Sequence, residues 1–274
     1  MIHNKLKELE LVKDFIKDYL HNNIQELITF TFFNIINNKK YAGTQYNKSE
    51  KDFDGDRTAI VYAIDYLLWK DKGLPCFSSD NFNKIENSYS GDTINTFNTL
   101  FGSTSEKTER IIAILNLTDK EIKMIDDFKK CYQTIGNFYM LPKNTVNRVS
   151  INSYRGIHWN DYFDIFLNFL ESGLEHNASA EKDFMELLKA NEFFFKAVPT
   201  IDIFFELFYL EDYKEFKLNG KGIYFDHTML TKENAKEYKT FAFDYINKTT
   251  VLINKRSIKI INALENKYPE LIKN

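Results

Sequence analysis

The chain has 274 residues, of which 43% are hydrophobic and 27% charged, with a net charge of −3. That mixture suits one large globular domain or two small ones, and it excludes a disordered chain and a general polyanion binder, though not a local basic face. Two cysteines, Cys76 and Cys131, rule out a disulfide framework and stand in no metal-ligand spacing, so they read as reduced thiols.

The N-terminal stretch has no apolar segment of the secretory kind. Leu6, Leu9, Val12, Ile16 and Leu20 recur at three and four, which predicts an amphipathic helix over 5–21. Residues 24–37 are β-branched and aromatic and fit helix or strand. Residues 38–56 are polar and irregular. "DRTAIVYAIDYLLWKDKG" predicts a helix capped by Asp56 and stopped at Gly73. A second irregular stretch, 74–91, leads to "GDTINTFNTLFG", a short helix between two glycines. "TDKEIKMIDDFKKCYQTIGNF" begins with Thr118 or Asp119 as cap, with Glu121 close behind.

Residues 140–157 read as a loop, followed by a helix over 158–177 that Gly173 weakens or ends. Residues 180–213 read as helical with a break at Pro199. "FKLNGKGIYF" carries Asn219-Gly220, the signal of a tight β-hairpin. One long helix, or two with a break near "KTT", fills 231–268. The longest greasy run, 193–210, is interrupted by Lys196, Pro199, Asp202 and Glu206, so no membrane span is expected. The expected fold is a single, mainly α domain over 1–274, an irregular helical domain with long polar loops and one small β-hairpin. Residues 180–274 form a candidate helical subdomain, and the expected location is cytoplasmic. Abundant Asn, Lys and Ile suggest an AT-rich genome, bacterial or phage.

Residues 134–166, "TIGNFYMLPKNTVNRVSINSYRGIHWNDYFDIF", gather hydrogen-bonding groups where a chain would ordinarily turn. Arg148 and Arg155 are two of only five arginines, and a guanidinium offers a fixed fork of donors suited to phosphate or carboxylate. With a helix starting near Ile157, His158, Asp161 and Asp164 share one face, where they are placed for acid–base work; the plainer alternative is that the acids only complement the helix dipole. Asp92, Thr93 and Asn95 crowd the GDTIN segment, where exposed amides would bind an anion; the alternative is simple capping by Asp92 or Thr93.

The expected site therefore takes Asp92, Thr93, Asn95, Asn137, Asn147, Arg148 and Arg155 as ligand-binding residues, with His158 and Asp161 as proton donor or acceptor and its orienting partner. It implies no metal and identifies no cofactor. GDTIN is expected to pack against the loop after TIGNF. "DFDGD", 52–56, reads as a turn and cap, since the following positions lack the ligands of a calcium loop. Lys248, Lys255 and Lys259 lie near one face of the last helix with Arg256 adjacent, a basic stripe for which weak or no nucleic-acid binding is expected at physiological salt. No P-loop, GxGxxG, HExxH or GxSxG pattern is present.

"GDTINTFNTLFG", "YQTIGNFYMLP", "NRVSINSYRG" and "WNDYFDIFL" together resemble a group of uncharacterised bacterial proteins that share DTINTF, TIGNFxxLP, NRxxxxxxRG and WxDYFD elements. The resemblance covers about residues 56–170 and implies that the polar clusters belong to one site. A weaker resemblance links "TIGNFYMLPKNTVN" to the IGNLxLL…N segment of HNH-like restriction nuclease domains, which would make Asn147 the metal-site asparagine. The upstream histidine of those domains has no counterpart here. The leading expectation is a protein that binds a nucleotide or another phosphate-bearing ligand. The alternatives are a non-enzymatic partner-binding protein of phage–host conflict, in defence or counter-defence, and an HNH-like nuclease.

Overall fold

The computed structural model describes residues 2–50, 52–74, 89–142, 146–159, 162–177, 181–215 and 224–272. Its first helix, α1 (Ile2–Tyr19), buries Leu9, Val12, Phe15 and Ile16 along one stripe. Residues 24–37 become two short 3₁₀ turns whose Ile24, Leu27, Phe32 and Ile35 point inward. After the one-turn α2 (Lys39–Ala42) comes α3 (Ala59–Trp69). Its cap is Thr58, whose hydroxyl accepts from Val61 N, and not Asp56, which lies in the preceding 3₁₀ turn. Nearly every side chain of α3 is buried, so this helix runs through the interior.

Strand β1 (Tyr89–Asp92) then precedes α4 (Phe97–Phe101), α5 (Ser105–Leu115) and α6 (Asp119–Cys131). The α6 start is a full capping box: the Thr118 hydroxyl accepts from Glu121 N, and the Glu121 carboxylate accepts from Thr118 N at 2.8 Å. Strand β2 (Phe138–Pro142) pairs antiparallel with β1, placing Gly91 opposite Tyr139 and Asp92 opposite Phe138. This small sheet joins segments far apart in sequence. The hairpin expected at 216–225 falls largely outside the described residues.

The stretch expected as a loop over 140–157 contains a helix, α7 (Ile151–Trp159). Ser150 opens it, its hydroxyl accepting from Ser153 N at 3.1 Å. There follow α8 (Phe163–Leu174), α9 (Lys182–Ala190), α10 (Glu192–Ala197) and α11 (Ile201–Leu207), with the chain breaking between α10 and α11 at Pro199. Gly173 is the penultimate residue of α8, which ends there. It allows close packing, since a Cβ there would lie 2.4 Å from Leu188 Cδ1.

The last helix, α12 (Ala235–Lys267), is continuous for 33 residues. "KTT" does not interrupt it, because the buried Thr249 hydroxyl donates back to Tyr245 O at 2.8 Å. Its buried stripe includes Tyr238, Ala242, Ile246, Ile253, Ile260 and Leu264, each large apolar side chain worth roughly 1.5–3 kcal/mol on burial. This stripe packs on the 24–28 turn, α3, α5, α6 and the Ile135–Asn137 turn.

Arg256 lies on that stripe, 1% exposed, and does not belong to a basic surface. Its Nε donates to Phe208 O at 2.8 Å, and one terminal nitrogen donates to Gly136 O at 2.8 Å and Phe138 O at 2.5 Å. Gly136 is needed for this approach, since a Cβ there would sit 2.0 Å from Ile253 O. Lys255 and Lys259 do reach the surface, where Asp212 and Glu211 pair with them. The Asp212 carboxyl is lowered chiefly by its hydrogen bond from Lys259.

Asp65 of α3 is buried near the Arg256 charge. Burial raises its carboxyl to about 8, with Asp56 adding to the rise and Arg256 opposing it. A group with a raised native pKa stabilises the fold when protonated, and that contribution is lost as pH rises from its unfolded value near 4 to about 8. Asp65→Asn is therefore expected to match the wild type near pH 4 and to exceed it in stability at pH 8, the gap widening by at most about 1.4 kcal/mol per pH unit. Urea titrations at several pH values measure this; parallel curves would contradict it.

Candidate functional site

GDTIN meets TIGNF itself, through Asn137 and the strand that follows it, and not the loop expected after it. Thr93 N donates to Asn137 O at 2.7 Å, continuing the β1–β2 pairing past the strand ends. The Asn137 carboxamide, fully buried, then closes the turn. Its Oδ1 accepts from Thr93 Oγ1 and Ile94 N, both at 2.7 Å. Its Nδ2 donates to Tyr132 O at 2.7 Å, to Ile94 O at 2.8 Å and, at 3.5 Å, to Asp92 Oδ1. Because the Thr93 hydroxyl donates to Asn137, the Tyr213 hydroxyl 3.1 Å away must donate to Thr93.

Asp92 and Thr93 cap no helix: α4 begins only at Phe97, with Thr96 at its N-cap position. GDTIN thus offers no helix N-terminus to an anion.

Arg155 backs the same turn from inside. It is fully buried, donates from a terminal nitrogen to the Asp92 carbonyl, and lies 5.9 Å from the Phe163 ring centre. Asn147, Arg148 and His158 do not join this cluster. Asn147 and Arg148, with φ of 53° and 69°, are the exposed central pair of a tight turn closed by reciprocal Val146–Val149 hydrogen bonds. His158 is exposed and stacks on Tyr154 with ring centres 4.0 Å apart. Since α7 ends at Trp159 and Asp164 opens α8, His158 and Asp164 share no helical face. Asp161 lies outside the described residues. Among the described residues, no group of three or more His, Cys, Asp or Glu is placed to hold a metal ion.

Asp92 and Asn95 are half-buried, and both border an open cavity of about 840 Å³. Residues from the 50–56 segment and from α5 and α6 complete it. Asp54 and Asp56 come from "DFDGD", drawn in at Gly55, whose N donates to Gln133 Oε1 at 3.2 Å. A Cβ on Gly55 would meet that oxygen at 2.5 Å and Phe138 Cζ at 2.6 Å. Glu50, Glu109 and Asp126 add further carboxylates. Lys129 also lines the wall, its Nζ 3.7 Å from Glu50. Phe97 and Tyr132 give an apolar patch, their rings stacked 5.7 Å apart. The Tyr132 hydroxyl is pushed up to about 12, mainly by burial, with the charges of Asp92, Asp54 and Glu50 adding to it.

The strands, Asn137, Arg155 and all cavity-lining residues fall within 38–260, the span matched by one family model. The chain belongs to DUF6994, a family of unknown function. No curated protein and no solved structure matches the chain. The DUF6994 match begins after α1 and ends within α12, so it takes in the whole Asn137 joint and the Arg256 that supports it. No helix among the described residues is long and apolar enough to cross a membrane.

Arg155→Lys keeps the charge and loses the planar fork that reaches Asp92 O from the interior. The expected outcome is a loss of about 3 kcal/mol in urea denaturation, whereas exposed His158→Ala stays within about 0.5 kcal/mol of wild type. Equal stability of Arg155→Lys and wild type would contradict the interior role.

Proposed function

We propose that this protein binds a small ligand in the cavity bordered by Asp92 and Asn95, and that the ligand presents cationic hydrogen-bond donors, as a polyamine or amino sugar does. The observation that carries this reading is the wall itself: Glu50, Asp54, Asp56, Asp92, Glu109 and Asp126 around about 840 Å³, with Lys129 3.7 Å from Glu50 and Arg57 3.3 Å from Asp54 as the cations beside them. A cleft lined by one sign of charge concentrates the opposite sign. The Phe97–Tyr132 pair supplies a face for the ligand's apolar body.

The reading keeps the binding role expected of Asp92 and Asn95 and changes the ligand. A bare phosphate would meet repulsion at this wall. The guanidinium meant to hold it, that of Arg155, is buried behind Asp92, and Arg148 stands on an exposed turn. A phosphate group would fit only with a divalent cation between it and the carboxylates.

Thermal shift with spermidine, glucosamine, ATP and ATP with Mg²⁺ tests the proposal. An amine at tenfold its Kd adds about 1.4 kcal/mol, equivalent to a rise of about 3–5 °C, and Asp92→Asn and Asp126→Asn reduce it. Stabilisation by metal-free ATP and none by either amine would overturn the cationic reading in favour of a phosphate ligand.

A further inference from the structure

A second cavity, of about 950 Å³, opens between α8, residues 211–215 and the flank of α12, and it shares no lining residue with the first. Its wall includes Asp164, whose side chain is 7% exposed. The Tyr224 hydroxyl donates to Asp164 Oδ2. Burial disfavours the charge more than the Tyr224 hydroxyl and the amides of Asp164 and Ile165 favour it, and among the described residues Oδ1 has no hydrogen-bond partner. A buried carboxylate oxygen with no donor is costly unless something supplies one.

The surroundings say what kind of donor fits. Tyr224, Phe241 and Tyr245 line the same cavity, with Phe241 6.4 Å from Tyr224 and 6.0 Å from Tyr245 between ring centres. Leu252 and Val251 extend this apolar wall. The two lysines at the rim are already engaged, Lys248 with Asp244 at 2.7 Å and Lys255 with Asp212 at 3.3 Å. A hard metal ion would need several oxygens converging at short range, and among the described residues no three acidic, His or Cys side chains are so placed, although Glu211, Asp212, Glu215 and Asp244 also line this cavity. Aromatic faces beside a carboxylate suit an ammonium nitrogen carried on an apolar body.

We propose that this second cavity is a site for an organic ammonium ion, an aryl- or alkylamine whose nitrogen meets Asp164 and whose body lies against Phe241, Tyr245 and Leu252. It does not depend on the first cavity having a ligand.

Calorimetric titration of the full chain with phenethylamine, and with 2-phenylethanol as its neutral counterpart, tests this without any variant. The amine is expected to bind saturably and at least tenfold tighter than the alcohol. Asp164→Asn should remove that preference, and Val251→Lys, at a 53% exposed rim position, should weaken amine binding without disturbing the fold. His158→Ala, exposed and outside both cavities, should leave it unchanged. Equal affinity for amine and alcohol, no binding of the amine, or a preference for the amine kept in Asp164→Asn would each overturn the proposal.

Discussion

The carboxamide of Asn137 is the joint on which the rest of this structure depends. It ties Thr93 and Ile94 to a turn 44 residues away from Thr93 in sequence, accepting at Oδ1 and donating from Nδ2 at once. Each of those bonds is inside the protein, where a lost partner leaves a group that water cannot reach. Only an amide of this length supplies an acceptor for Ile94 N and a donor for Ile94 O at once; an aspartate or a leucine supplies at most one of the two. The consequence is positional: with Thr93 and Ile94 fixed, Asp92 and Asn95 stand at the cavity wall.

The two buried arginines act on the same joint from different directions. Arg256 holds the carbonyls of Gly136 and Phe138, the residues on either side of Asn137, and binds the turn to the long final helix. Arg155 holds the carbonyl of Asp92 on the opposing strand. Guanidinium groups suit this because their donors diverge in a plane and several backbone oxygens are reached at once. Cations thus serve the scaffold, while the carboxylates of Asp54, Asp56, Asp92 and Asp126 line an open space. That division of charge, with positive groups inside and negative groups at the cavity, shapes the functional reading more than any single residue does.

The helices were legible because their apolar spacing and caps are local. Thr118 with Glu121, and the break at Pro199, can be read directly from the chain. The helix over 151–159 was missed because its Asn- and Ser-rich entry looks like loop, although Ser150 is an ordinary N-cap. Arg256 was read by its charge, yet it stands three residues after Ile253 and four before Ile260, on the apolar stripe. Periodicity should have outweighed charge there. Shared polarity pointed GDTIN toward this region, but to the loop after TIGNF and not to Asn137 within it, because the pairing of two short strands is not visible in their polarity. The cavity was not legible, because its carboxylates come from residues 50–56, 92, 109 and 126, and tertiary packing alone assembles them. Nothing in their sequence spacing marks them as neighbours.

Amide hydrogen exchange of the wild type and of Asn137→Ala tests the central joint most directly. In the wild type, the Thr93 and Ile94 amides, bonded to Asn137 O and Oδ1, should exchange only on global unfolding, as slowly as core amides of the final helix. In Asn137→Ala, the account requires Ile94 to lose its protection while the helix core, measured relative to the variant's own global stability, keeps its protection. Unchanged protection at Ile94 would show that the strands hold the turn without the carboxamide, and would contradict the account.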